Sequence, residues 1–227
     1  MERDDPAYRG QSEYTPFFLR IYDPVVLGVF TRFVWRCPTP ILVEHYRRHI
    51  RPGHLDVGPG TGYFVLRAGL PSGSPVTLLD PNTNVLKHAA RRLRRLDVTV
   101  VEADVLKPLP IAGPFDSAAL NGVIHCLPGP LSRKAAAIAN VAAVVAPTGV
   151  LFGATLLGTS GRHTRFGRSF LNANNRRGTF DNLRDTEEGL VEILEASFEQ
   201  VKLETVGSMA IFAAADPRAR ASTGMPL

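Results

Sequence analysis

The chain reads as an α/β fold: a doubly wound, mostly parallel seven-stranded sheet with a C-terminal antiparallel hairpin and an N-terminal helical cap. Three observations lead there. Short apolar runs recur and end in polar residues at Asp56, Asp80, Asp104 and Asn121. Segments of helical periodicity separate these runs, and strands alternating with helices imply βαβ units with right-handed crossovers. The first run also opens into glycines at 58, 60 and 62 before a helix can start at Tyr63, the pattern of a nucleotide-binding turn.

Each element follows from local chemistry. Residues 1–14 are polar, and from Tyr14 to Ile50 the periodicity is helical, broken at Pro24, Pro38 and Pro40 because proline ends or kinks a helix. We assign residues 1–50 to a cap over the carboxyl edge of the sheet and 51–213 to the nucleotide-binding unit. Parallel strands are expected at 55–57, 76–79, 98–102, 115–120 and 150–157. Asn82 can cap a helix running to Arg95, and an alanine-rich helix at 131–145 should stop before Pro147 and Gly149. Residues 158–184 carry arginines, asparagines and glycines with little apolar periodicity, so they are read as an irregular inserted lid near the active face. Residues 186–198 form an acidic amphipathic helix, 201–205 and 209–213 the terminal hairpin, and 214–227 a flexible tail.

A length of 227 residues suits one decorated α/β domain with a substantial core. The acidic start does not read as a secretory signal, and Arg20, Asp23 and Arg32 interrupt the apolar stretch 16–35 too often for a membrane span. Cys37 and Cys126 are the only cysteines and lack CxxC spacing, which speaks against a metal site or a disulfide scaffold. A reduced, cytoplasmic protein without membrane contact is expected. The net charge of +5 raises the question of nucleic acid. The densest basic stretch, 91–96, suits the solvated face of a helix, so no nucleic acid is expected. The sequence leaves the oligomeric state open.

In an open α/β sheet, ligands bind beyond the carboxyl ends of the strands. The loop here is D-x-G-x-G-x-G rather than the G-x-G-x-x-G of dinucleotide sites, which disfavours a nicotinamide reductase. Asp56 can orient the loop. Asp80 stands twenty-four positions later, near where a ribose-binding carboxylate belongs, although before Pro81 and Asn82 it also suits a turn or cap. Asp104 can accept from an adenine amino group with Val105 against the ring, or serve only as a turn residue. Asn121 ends the fourth strand and is followed by Gly122-Val123-Ile124-His125.

From about residue 50 to 213 the chain resembles the Rossmann-like class I methyltransferases that depend on S-adenosylmethionine (SAM), in LDVGPGTG, LLDPN, EADVLKPLP and FDSAALNGVIHCLPG. More narrowly, YTPFFLRIYDP, FVWRCP, HLDVGPGTGYF, NGVIHCLPG and NRRGTFDN are similar to the YbcY-type methyltransferase group. The resemblance implies SAM as cofactor and S-adenosylhomocysteine (SAH) as product. It implies that Gly58, Pro59, Gly60 and Gly62 flank the methionine part, with Asp56 ahead of them in the cofactor site. Asp80, Pro81 and Asn82 would meet the ribose and neighbouring groups, Asp104 and Val105 the adenine, and Asn121 the wall beneath the sulfonium. Asn174 departs from the tyrosine expected before the Asn-Arg pair, so the group's substrate packing does not carry over.

For catalysis we single out His125 as a general base or a substrate hydrogen-bonding group, with a structural histidine as the alternative. Arg36 and Tyr22 are the other candidates, as acceptor-binding residues of the cap. Together with Tyr14, Trp35, Arg165, Arg176 and Arg177 they suit a flat or acidic metabolite, since arginine grips carboxylates bidentately. The expectation is methyl transfer to a carboxylate or hydroxyl of a small molecule. An RNA or protein methyltransferase and a non-catalytic SAM-binding module are the alternatives.

Overall fold

The computed structural model describes residues 23–160 and 162–218. Tyr14, Tyr22 and the tail from residue 219 lie outside the described residues. The sheet grows outward from β1 (His54–Val57), whose four residues are all buried. β1 pairs in parallel with β2 (Pro75–Asp80) on one side and β4 (Phe115–Asn121) on the other. β3 (Asp97–Glu102) lies outside β2, and β5 (Val145–Leu156) outside β4. β7 (Met209–Pro217) joins β5 antiparallel and carries β6 (Phe198–Val206) beyond it. The order is therefore β3-β2-β1-β4-β5-β7-β6, the expected seven strands with a terminal hairpin. Connections leave in opposite directions from β1 and β4, which opens a crevice at their carboxyl ends.

Period-two alternation gives the sheet two apolar faces. On one, Leu55, Val57, Ala118, Leu120 and Leu151 meet Ile138 and Val141 of α5 (Leu131–Ala142) and Leu190 and Leu194 of α7 (Glu187–Glu195). On the other, Leu78, Ala119, Val150 and Phe152 meet Tyr46 of α2 (Thr39–His49), Val65 of α3 (Tyr63–Ala68) and Leu86 and Ala89 of α4 (Thr83–Arg92). A third cluster seats the cap. Val34 of α1 (Asp23–Val34, a wide π-type helix), Trp35, Leu42 of α2 and Leu171 of α6 (Arg165–Arg177) pack on Ala154, Leu156, Met209 and Ile211, where β5 ends and β7 begins.

Several boundaries differ from the sequence expectation. Residues 158–184 are not irregular throughout, because α6 fills their middle. Its buried stripe, Gly167, Leu171 and Asn174, holds a single apolar side chain, so periodicity could not announce it. Its ends were nonetheless written in the chain: Thr164 accepts from the Gly167 N–H at 2.9 Å, and Gly178 closes the helix with φ of 75°. The alanine-rich helix ends at Ala142, and β5 starts early at Val145, pairing with Phe115 across an irregularity. β7 runs four residues past the expected strand end, to Pro217, because each of Ala214 and Ala215 still pairs with both β5 and β6. Pro38 and Pro40 do bracket the start of α2, where a missing amide donor costs nothing. Among the described residues no helix is long and apolar enough to cross a membrane, and no cluster of His, Cys, Asp and Glu could hold a metal ion.

Candidate active site

A cavity opens at the crevice between β1 and β4. Its floor is the main chain of Gly58, Pro59, Gly60 and Thr61 together with Asn121, Gly122, His125 and Cys126. Aromatic rings supply the walls: Phe30, Trp35 and Tyr46 from the cap, Tyr63 and Phe64 from the start of α3, and Phe170 and Phe180 from the inserted segment. Arg177 is the one formally charged side chain among the described lining residues.

The glycine loop divides its labour. Gly58 has φ of 66°, and a side chain there would meet Val123 Cγ2 at 2.6 Å, so this position keeps the loop close to the turn after β4. Gly60 has φ of 55° and a Cβ would project into open space, which leaves bare backbone facing the cavity. Gly62 does not line it. Instead its α-carbon packs under α4, with Leu93 3.3 Å from where a Cβ would sit. Arg92 braces the loop from behind, its guanidinium 3.4 Å from the Thr61 carbonyl and over the Tyr63 ring.

The carboxylates line up along the same edge, in strand order. Asp56 is buried in β1 and accepts from the Tyr46 hydroxyl at 3.3 Å. Burial pushes its carboxyl up to about 7; the Tyr46 hydrogen bond opposes this, and the neighbouring Asp80 adds to it. Asp80 ends β2. Its Oδ1 accepts from the Asn82 N–H at 2.7 Å, and burial raises this carboxyl also to about 7. Asn82 caps α4 by accepting from the Asn84 N–H, as its side chain suggested. Asp104 takes the turn role, with Oδ1 accepting from the Leu106 N–H at 2.9 Å. Val105 is buried in the core, where its carbonyl accepts from Asn140. Asp80, Pro81, Asn82, Asp104 and Val105 thus flank the cavity along the β2–β3 strand ends rather than lining it.

His125 sits on the one-turn 3₁₀ helix Ile124–Cys126 and does line the cavity. Its Nδ1 accepts from the Leu156 backbone N–H at 3.3 Å and lies 3.2 Å from the Thr155 hydroxyl. A backbone N–H can only donate, so Nδ1 carries no proton and the neutral ring holds its proton on Nε2. Burial first, and the Lys134 ammonium second, push this imidazole down to about 3. The ring therefore offers the cavity a donor. Cys126 is held in the same turn, and burial raises its thiol to about 12, which suits a small apolar wall rather than a nucleophile.

The structure does not bring Arg36 to this cavity. It is exposed, has φ of 55°, and does not line the cavity; its main chain instead packs against Gly207 in the β6–β7 turn. The aromatic Trp35 before it points inward and Arg36 outward, because the left-handed residue turns the chain between α1 and α2. Tyr22 lies outside the described residues. Of the arginines in the inserted segment, Arg177 reaches the cavity and Arg165 and Arg176 do not. Sequence reasoning missed Thr31, Tyr46, Phe64, Phe170, Thr179 and Phe180. Phe180 stands inside NRRGTFDN, a stretch of family likeness in which no local pattern marks the ring for the site. Asn174 also lines the wall, putting an amide where a ring would have filled space.

Known proteins resemble this chain in sequence and in fold. Residues 55–151 match the methyltransferase domain family. The chain is 38% identical over 213 residues to demethylluteothin O-methyltransferase of Streptomyces thioluteus, covering 93% of both chains. It is 38% identical over 192 residues to YbcY of Escherichia coli (strain K12), covering 83% of this chain and 98% of that one. In fold it is similar to the N-methyltransferase NodS from Bradyrhizobium japonicum WM9 in complex with SAH, with a TM-score of 0.62, 17% identity, and coverage of 95% of this chain and 100% of NodS. Identity to the two curated relatives along nearly the whole length places the chain in the methyltransferase family, in company with YbcY.

Proposed function

We propose that the chain is a SAM-dependent methyltransferase that methylates a hydroxyl oxygen on a flat, largely apolar small molecule. The observation that carries this reading is the continuity of the site: a bare-backbone loop forms one end of a cavity whose other walls are aromatic rings. The name of the Streptomyces thioluteus relative, demethylluteothin O-methyltransferase, supports transfer to an oxygen atom. The residues fit the cofactor. Gly60 leaves room for a ligand to lie on the main chain, and Asp80, with Oδ1 engaged by Asn82, keeps Oδ2 for ribose hydroxyls. When bound there, SAM supplies a methyl group on a positively charged sulfur.

The chain's own task is alignment. Rings on both sides hold a flat acceptor in one plane and exclude water, and well-oriented reactants recover roughly 7–11 kcal/mol of barrier. His125 Nε2–H donates to the acceptor oxygen and orients it, so it stabilises the ionised form of a phenol or enol instead of removing the proton. Of the arginines read as grips for an acidic acceptor, Arg177 alone lines the described cavity, amid aromatic and apolar side chains, which shifts the preference to a hydroxyl. An RNA substrate is disfavoured because Arg177 alone brings positive charge to the described lining.

The test is a panel of phenols, enols and aromatic carboxylic acids with methyl-labelled SAM. Label is expected in a hydroxylated ring compound. Label only in RNA or protein, or SAM retained with no SAH formed from any acceptor, would overturn the proposal. His125→Leu should lower kcat roughly 10- to 100-fold, as expected for a hydrogen bond to a charged group. His125→Gln, which keeps a donor, should recover part of it. The rate should rise with pH along the acceptor's own ionisation; a limb that vanishes in His125→Gln would instead make the imidazole a base.

A further inference from the structure

Lys134 is fully buried in α5, and nothing in the alignment chemistry above calls for it. Its ammonium lies 2.7 Å from Asp185 Oδ2, itself buried, and donates to the Asp181 carbonyl at 2.6 Å. Such a pair is costly, because two charges leave water, and apolar replacements of similar volume are often as stable or more so. Its neighbours suggest what the pair does. Asp181 donates its N–H to the His125 carbonyl at 3.0 Å, and its Oδ2 accepts from the Gly129 N–H at 2.6 Å. One residue earlier, Phe180 sets its ring edge-on to the His125 imidazole, with centroids 4.8 Å apart. One residue later, Asn182 donates to the Leu156 carbonyl at 2.7 Å, and the N–H of that same Leu156 fixes the His125 tautomer. Asn175 of α6 closes the far side. Its amide donates to Asn182 Oδ1 and its own Oδ1 accepts from the Asn182 N–H, both at 3.0 Å.

We propose that Lys134 and Asp185 are positioning residues for the acceptor site: their buried ion pair clamps the segment Phe180–Asp181–Asn182 between α6 and the His125 turn. The clamp fixes where the imidazole points and how closely α6 closes over the cavity. Its bonds run from the ion pair to the 180–182 segment, and from there to the His125 turn, to Leu156 and to α6. An apolar pair could fill the same space but could not hold the Asp181 carbonyl. This inference rests on reading the cavity as the acceptor site, yet its test does not need the acceptor.

The experiment compares wild type with Lys134→Met/Asp185→Leu, a double variant that removes both charges together and so leaves no lone ion buried. Amide exchange by mass spectrometry reads the 179–185 segment, ¹⁵N spectra of the imidazole read the His125 tautomer, and calorimetry with SAH reads the cofactor half. The expected result is protection of 179–185 reduced about tenfold or more, a mixture of His125 tautomers, and SAH affinity within about twofold of wild type. Native protection with a single Nε2–H tautomer would overturn the proposal, as would an SAH affinity lost in proportion to the acceptor-side changes. Should the double variant not fold, Lys134→Met/Asp185→Asn keeps the shape at 185 and again drops both charges, and the same three readouts then support or overturn the clamp in the same way. A failed acceptor screen would sink the substrate reading and leave these outcomes untouched.

Discussion

The two halves of the carboxyl edge are made of different material. From β1 to β3 the surface is main chain and strand-end carboxyls, contributed by one continuous stretch from Asp56 to Asp104. From β4 to β5 it is side chains gathered from residues 27–46, 121–126, 156, 170–180 and 209. A backbone surface fits one group and tolerates little change. A side-chain surface can be re-cut one residue at a time without disturbing its neighbour. The family can therefore keep its methyl donor and change its acceptor.

That contrast can be broken first at Asp80. Asp80→Asn should weaken SAH binding roughly 10- to 100-fold, the cost of losing hydrogen bonds to a charged group, while leaving acceptor-side tautomer and exchange readouts unchanged. Its ionisation adds a pH signature. Asp80 and Asp56 are raised from 3.8 to about 7 in the folded chain, so without ligand they hold protons the unfolded chain has lost. Their contribution to stability accordingly declines as pH climbs from about 4 to about 7. A cationic ligand favours the ionised form, so SAM affinity should rise with pH through that window and binding should release protons. Calorimetry in two buffers of different ionisation heat checks this; equal heats at pH 6.5 would refute it.

The next test sharpens the comparison within the glycine loop. Gly60→Ala should weaken SAH binding by roughly 1–3 kcal/mol, because the methyl group takes ligand space. Its thermal midpoint should fall no further than that of Gly69→Ala, another left-handed glycine with open space around it. Gly62→Ala should do the reverse. It crowds Leu93, so the midpoint falls more, while the folded fraction binds SAH normally. The smallest expected effect belongs to Arg36→Ala: acceptor KM and SAH affinity should both stay at wild type. A large rise in KM would return Arg36 to the site and make its outward pose an open state.

The same contrast explains what could be read from the amino-acid sequence. The succession of strands along the chain, the glycine turn and the acidic residues at 56, 80 and 104 were legible because each is local: apolar run, polar end, glycine, helix start. The acceptor half was not, because Thr31, Tyr46, Phe170 and Phe180 meet only once the chain has folded over the edge of β5. Arg36, an acceptor-binding candidate in the sequence, lies off the cavity for a related reason. Chemistry alone favoured it, but a single left-handed residue between two helices decides which side chain points inward, and nothing local marks a non-glycine for that conformation. α6 was hidden by its polar buried stripe, although Thr164 and Gly178 bracketed it.

Trp35 gives the molecule an optical reporter of its own. It is the sole indole in the chain, it is 7% exposed, and one wall of the cavity is its ring. Native emission from this protein is thus a signal from a single place. An incoming aromatic guest should quench or shift it directly, whereas a compound resting on the exterior should leave it alone. Occupancy of the hollow can be followed by fluorimetry without a dye, a radioactive tag or a turnover event.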